Sequence, residues 1–406
     1  MAISGHMQAK SDRVAIIGAA ALPIGKFTSP DNAYYGYLEH EILSRVAASA
    51  IQDAGLTRND IDAAIFTLNP PTTKQLGFAT FMTAQLGLTC RGLVTEVSQL
   101  GITGGLAFDV AASQVQLGYA DYALALGIVR QSGGNPSVAL DNGIRAVGDV
   151  NFQAPFGIPP IGWYALDCNR YMAEFNVTRE SIAQVTVKSR ELAQHNPIAQ
   201  FPQTVTLQEV MDQRPIVEPL GLYEVPARGD GAICLVVGTE AAAAKSGLPY
   251  VTVNGRGFFH EGAHQMADQP GDLIAFPSAA AATESALNQA EMTLGDIDLF
   301  ELYAPCTITE VLVSEALGLF PRGTGCEALA DGRTMPSGDI PINTSGGCLG
   351  RGHPPQITGL YGLFEIREQL LGRAGARQVP QPKHGLHTCE LGNYNATLAH
   401  VIGLPQ

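Results

Sequence analysis

The chain has 406 residues, of which 46% are hydrophobic and only 15% are charged. That is enough apolar material for two or more packed units and the wrong composition for a disordered or fibrous chain. A formal net charge of −14 excludes nonspecific adhesion to nucleic acid or to an anionic membrane, while leaving room for a local basic patch that holds a phosphorylated ligand.

The opening stretch, Met1-Ala-Ile-Ser-Gly-His-Met7, lacks a basic and then apolar signal pattern, so residues 1–11 are expected to form a tail outside the fold. The first strand is expected at Val14-Ala-Ile-Ile-Gly18, an apolar run suited to cover on both faces. Ser49 to Ala54 reads as the end of an alanine-rich helix, Thr57-Arg-Asn-Asp-Ile-Asp62 as a capped turn, and Ala63-Ala-Ile-Phe66 as a strand. Leu93-Val-Thr-Glu-Val97 is apolar and β-rich enough to be a paired edge across a two-fold axis. A helix then runs from near Gly101 to Leu117-Gly118. Residues 129–228 are polar and rich in Pro, Gln and Asn, with one amphipathic helix signal capped at Thr178 and followed by Glu180. They read as an inserted loop domain covering a cleft.

The apolar pattern resumes at Gly231-Ala-Ile-Cys-Leu-Val-Val237, and a second half starts near Tyr250-Val-Thr-Val253. From there the chain repeats itself. Ser285 to Ala290, Thr293-Leu-Gly-Asp-Ile-Asp298 and Leu299-Phe-Glu-Leu302 echo the helix end, capped turn and strand of the first half. The stretch from Gly359-Leu360 to Leu371-Gly372 likewise echoes Gly105-Leu106 to Leu117-Gly118. The period is too long for a solenoid, so a whole α/β half is duplicated. The expected units are residues 12–128 with 229–249, the insertion 129–228, and the second half 250–406.

Residues with chemical potential cluster near the end. In Asn343-Thr-Ser-Gly-Gly347 and Gly350-Arg-Gly-His353-Pro354, His353 sits on backbone that cannot continue regular structure, so its ring is expected to face a cleft. Its unperturbed pKa near ~6.5 suits a proton donor or acceptor. Tyr303, just past an expected strand, supplies a phenol that can protonate or hydrogen-bond an oxyanion. Cys389 and Glu390, in His387-Thr-Cys389-Glu-Leu-Gly392-Asn-Tyr394, are alternative groups to face the same site. Asn343 and Arg351 are candidates to reach a phosphate or a loop. At Gly101 to Gly105, backbone N–H groups at a helix start can stabilise an anion.

The 7 cysteines show no C-x-x-C pair, so neither a disulfide framework nor a zinc site is signalled. Cys306 and Cys348 read as buried structural thiols. No run approaches the ~20 apolar residues of a membrane helix, and a cytoplasmic protein is expected.

The glycine-rich histidine loop and the duplication resemble the thiolase superfamily, in its sterol carrier protein thiolase-like branch, over nearly the whole chain. Tyr171-Met172 and His195-Asn196-Pro197 of the insertion are also similar to that branch. The resemblance implies an α/β protein with the five-layer αβαβα thiolase fold. Counting back from Gly118-Tyr-Ala-Asp121, which resembles the family's Gly-x-Ala-Asp, places the nucleophilic cysteine position on Gly101. Glycine cannot form an acyl-enzyme, and loss of the side chain is expected to leave room for a bulky acyl group. Tyr303 stands where the family has an Asn or His that serves the thioester oxygen.

In these departures the chain resembles the thiolase-like aldolases that shorten steroid side chains. That implies retro-aldol cleavage of a β-hydroxyacyl-CoA, with His353 and Tyr303 catalytic and Gly101, Cys389, Glu390 and Asn343 lining the site. It also implies a CoA thioester as substrate with no cofactor or metal, a homodimer, and a small OB-fold partner forming a heterotetramer. His353 stands where those aldolases have a tyrosine, so the identity of the base is open. Two alternatives are a Claisen-type thiolase or acyltransferase with a displaced cysteine such as Cys389, and a noncatalytic acyl-CoA-binding subunit.

Overall fold

A computed structural model describes residues 13–69, 73–262 and 272–405. The tail expected at 1–11 lies outside the described residues. The first half contains β1 (Val14–Ala21), α1 (Glu39–Asp53), β2 (Ala63–Thr67), α2 (Phe78–Leu86), β3 (Val94–Val97), α3 (Thr103–Gln116) and β4 (Tyr122–Val129). Helices α4 (Pro136–Val147), α5 (Pro160–Phe175), α6 (Arg179–Ala193) and α7 (Leu207–Met211) intervene, with a ribbon of β5 (Pro215–Val217) and β6 (Leu220–Gly221). Then β7 (Gly231–Thr239) and α8 (Glu240–Ser246) complete that half. The second half follows as β8 (Val251–His260), α9 (Pro277–Ala290), β9 (Leu299–Glu301), α10 (Thr307–Ala316), α11 (Gly325–Ala330) and α12 (Gly347–Gly350). It ends with α13 (Thr358–Leu370), β10 (His384–Glu390) and β11 (Ala396–Gly403).

The strands run in the order β3-β2-β4-β7-β1-β8-β11-β10-β9. The two halves join where β1 pairs antiparallel with β8, Val14 opposite Val253 and Ile16 opposite Val251. Alternation along each strand builds the layers. Ala15 and Ile17 of β1 pack with Ile42, Leu43 and Val46 of α1 on one outer face. Val14 and Ile16 point the other way, into a core shared with Phe108 and Ala111 of α3 and Leu360 and Leu363 of α13. Beyond the second-half strands, Leu386, Ala399 and Val401 pack under Ala279, Ala282 and Ala286 of α9. The result is helices, sheet, helices, sheet, helices: the five-layer thiolase fold. Gly255 and Gly257 of β8 let α9 lie close, since a Cβ at either would run into the Ala286 or Ala282 carbonyl oxygen.

The duplication holds at the level of single hydrogen bonds. Asp60 accepts from Thr57 N at 2.8 Å and from its Oγ1 at 2.7 Å, and Asp296 accepts from Thr293 N and Oγ1 at the same distances. Each box closes a single 3₁₀ turn, so it sets the angle at which β2 and β9 leave their helices.

One expectation needs correction. The insertion carries four helices, not the single one signalled at Thr178. The Thr178 cap is present, its hydroxyl accepting from Ser181 N at 3.3 Å ahead of α6. The missed α5 buries Tyr164, Ala165, Cys168 and Tyr171, a helical stripe interrupted in sequence by Asp167, Asn169 and Arg170. No helix among the described residues is long and apolar enough to cross a membrane.

Candidate active site

Loop segments of both halves, the end of β10 and helices α4 and α5 converge on a cavity of about 190 Å³. Gly101 comes from the 3₁₀ turn Leu100–Ile102 ahead of α3, Tyr303 from the segment after β9, His353 from the loop after α12, and Glu390 from the end of β10. Tyr164 enters from α5 of the insertion. Leu100, Val147, Pro160, Ile161, Pro305 and Leu391 give it apolar walls. A larger depression of about 830 Å³, lined by Glu39, His40, Lys74 and Arg130 among others, contains none of these residues.

The glycine-rich loop acts as a clamp. Asn343 Oδ1 accepts from Leu302 N at 2.8 Å, and its Nδ2 donates to Glu310 Oε2 at 2.7 Å. Ser345 donates to the buried Glu301 carboxylate from its N at 3.0 Å and its Oγ at 2.9 Å, and Arg351 pairs with the same carboxylate at 3.4 Å. These bonds tie the loop to β9 and bring Tyr303 beside His353, their rings edge to face with centroids 5.5 Å apart. Asn343 and Arg351 are 1% and 3% exposed, so neither reaches a phosphate, and Asn343 does not line the cavity. Of the two alternatives, phosphate or loop, both side chains take the loop, and the expectation that is corrected is that Asn343 lines the cavity.

His353 is also not the imidazole its sequence suggested. Burial, with the Arg351 cation as a lesser cause, pushes its pKa down to about 3, so the ring is neutral. Thr358 donates its single hydroxyl proton to Pro354 O at 2.9 Å and lies 3.2 Å from His353 Nδ1. The Thr358 hydroxyl thus anchors the Nδ1 side of the ring. Tyr303 donates to Pro355 O at 3.2 Å, and burial holds its phenol well above the usual range, so it serves as a donor and not as a base.

Glu390 and Cys389 lie on opposite faces of β10, which decides between them. Glu390 Oε2 accepts from the backbone N of Gly392 and, at 3.2 Å, of Tyr394, while Oε1 accepts from Tyr164 at 3.3 Å. Burial pushes its pKa up to about 7 against the pull of those bonds. Cys389 points into the core with Ile102 and Leu398, donates to Gly101 O at 3.4 Å, and is held well above the usual thiol range by burial. Cys389 is thus corrected from a lining residue to a core thiol, and no cysteine lines the cavity.

Gly101 carries the last correction. The space its missing side chain vacates is not open to an acyl group. A Cβ there would lie 2.6 Å from Glu390 O and 3.0 Å from Tyr303 Oη. The tyrosine and the β10 backbone have taken the nucleophile's place. Tyr164 was missed at the sequence level: it hydrogen-bonds a partner 226 residues away, and no local motif marks it.

Residues 14–218 match the family described as Thiolase, N-terminal domain, and residues 260–403 match Thiolase C-terminal domain-like. The acetyl-CoA acetyltransferase of Methanothermobacter thermautotrophicus is 31% identical over 95% of this chain and 98% of its own. The benzoylsuccinyl-CoA thiolase subunit BbsB of Thauera aromatica is 29% identical over 85% of this chain and 88% of its own. Sterol carrier protein 2 of Homo sapiens is 28% identical over 79% of this chain, which spans 60% of that protein. Among solved structures, a chain of the Ltp2-ChsH2(DUF35) aldolase superposes with a TM-score of 0.81 at 24% identity, covering 97% of this chain and 98% of that one, a likeness of fold.

Proposed function

This chain belongs to the thiolase superfamily, in its sterol carrier protein 2 branch, and we propose that within it the protein is an aldolase. Its reaction is retro-aldol cleavage of a β-hydroxyacyl-CoA to a ketone or aldehyde and a shorter acyl-CoA. The observation that carries this reading is the closed nucleophile position at Gly101 in a cavity that no thiol lines.

The Glu390 carboxylate takes the proton of the β-hydroxyl. The Cα–Cβ bond breaks, its electrons forming the thioester enolate as the hydroxyl oxygen becomes a carbonyl. The enolate oxygen accepts a hydrogen bond from the Tyr303 phenol in place of Pro355 O, and the proton on Glu390 passes to Cα. One proton thus moves from oxygen to carbon and the base is restored. A pKa of about 7 suits both halves of that transfer at neutral pH. His353, at about 3, is the weaker base, and its neutral ring stands edge to face against Tyr303, holding the phenol in place at the cavity wall. The apolar walls suit a hydrocarbon acyl group, a class that includes steroid side chains.

The second reading, a Claisen-type acyltransferase, is favoured by the acetyltransferase and thiolase names of the relatives. It needs a covalent acyl-enzyme. Intact-mass spectra after incubation with acyl-CoA are expected to show no acyl adduct, and Cys389→Ala is expected to keep turnover within about twofold, since the thiol is not at the cavity. A stoichiometric adduct on any cysteine establishes the rival.

We also infer a cytoplasmic homodimer through β3, whose four residues are all half-buried at the edge of the sheet, working with an OB-fold partner. The Ltp2-ChsH2(DUF35) aldolase, by its name, includes a second component, ChsH2(DUF35). Light scattering is expected to give twice the monomer mass for the purified chain, and a fully active monomer contradicts the assembly.

A further inference from the structure

We propose that Tyr164 is a positioning residue for Glu390, the contact through which the inserted domain holds the base in its working orientation. The proposal rests on the aldolase reading, in which Glu390 moves the proton.

Tyr164 is 4% exposed, and its ring forms part of the cavity wall. Its hydroxyl is shared between two elements of the second half: it donates to Glu390 Oε1 at 3.3 Å and accepts from Asn393 N at 3.2 Å. The turn it touches is strained. Asn393 and Tyr394 both have positive φ, 53° and 57°, and a bulky residue such as Tyr394 rarely adopts that conformation. The strain is what aims the backbone N of Tyr394 at Glu390 Oε2, and such a turn persists only when its surroundings over-determine it. Those surroundings are Tyr164 on one side and, on the other, Phe276, stacked on the Tyr394 ring with centroids 4.5 Å apart. Tyr394 also donates to Tyr303 O. Tyr164, Glu390, Tyr394 and Tyr303 thus form one connected set that links the insertion to both proton-handling residues.

The groups that face Glu390 are Tyr164 from α5, Tyr303 from the segment after β9, Cys348 from α12, and Cys389 and Tyr394 from its own hairpin, with His353 on the same cavity. Burial keeps the phenols and thiols protonated and His353 neutral at pH 7. No cation among these groups offsets the buried carboxylate, so hydrogen bonds to its charged form keep it available as a base. Two come from its own turn. The third, from Tyr164, is the one that a displacement of the insertion would remove.

The test is the pH profile of kcat/KM for Tyr164→Phe, which keeps the ring and removes the donor. Loss of a bond to the charged form raises the Glu390 pKa, so the acid limb should move up by about one pH unit. Turnover then falls by about tenfold at pH 6 and recovers above pH 9. A merely structural role would lower activity equally at every pH. Placing 3-fluorotyrosine at position 164 preserves the ring and strengthens the donor, and it should move the limb downward. An unmoved limb in both proteins, with Glu390→Gln inactive, overturns the positioning role and leaves the aldolase reading intact. An active Glu390→Gln instead overturns the reading on which the proposal rests.

Discussion

Glu390→Gln is expected to lower turnover by about 10³-fold, within the range that a positioned general acid–base group contributes. The substitution keeps shape and most of the hydrogen bonding, since an amide oxygen can still accept from Gly392 and Tyr394. What it removes is a proton acceptor poised near 7 in a cavity where His353 sits near 3 and Tyr303 holds its proton. The same variant should gain stability in alkali. Glu390's folded pKa lies above its ordinary value of 4.5, so the folded state binds the proton more tightly than the unfolded chain does. The associated stability is present in full below the ordinary value and is lost as pH rises through about 7. Above that range the buried charge costs on the order of 3 kcal/mol, which glutamine avoids. Melting temperatures at pH 5 and pH 8.5 should therefore show the variant gaining on the native protein only at the higher pH. Near-normal turnover in the variant would exclude Glu390 as the base.

Gly101→Cys, which restores the family's nucleophile by sequence, is expected to destroy activity without creating a thiolase. The new Cβ would stand 2.6 Å from Glu390 O, a backbone carbonyl that cannot yield without moving the base itself. Tyr303 Oη at 3.0 Å and its Cζ at 3.3 Å crowd the same point. Overpacking of this kind costs about 1–3 kcal/mol, and displacement of Tyr303 and Glu390 together should reduce turnover by ~10² or more. Thermal melts and turnover on the same preparation check both parts. A stable Gly101→Cys protein that acquires an acyl group from acyl-CoA would show that the position is open after all.

Much of the scaffold was readable in the chain because its signals are local. Thr57 with Asp60 and Thr293 with Asp296 are short-range capping boxes, and their recurrence exposed the duplication. The glycine pattern around His353 likewise marked a loop that ends beside a helix. The site was less legible because its properties arise from contacts between distant segments. A shift of one residue along β10 exchanges Cys389 for Glu390, since neighbours on a strand face opposite sides. The depressed pKa of His353 comes from burial and from Arg351, whose own place is fixed by Glu301 some fifty residues earlier. Gly101 looked like an absence, whereas Tyr303, two hundred residues on, fills the space. Asn343 was open to a phosphate or a loop by sequence, and only Leu302 and Glu310, at the two ends of its amide, decide for the loop.

A matched pair of substrates tests cleavage without a thiol most directly. The protein, alone and with an OB-fold partner, is given a β-hydroxyacyl-CoA with no free CoA and, separately, the corresponding β-ketoacyl-CoA with free CoA. Equimolar ketone or aldehyde and shortened acyl-CoA are expected from the first, and no thiolysis of the second. Thiolysis of the β-ketoacyl-CoA, with the β-hydroxyacyl-CoA left intact, would contradict cleavage without a thiol.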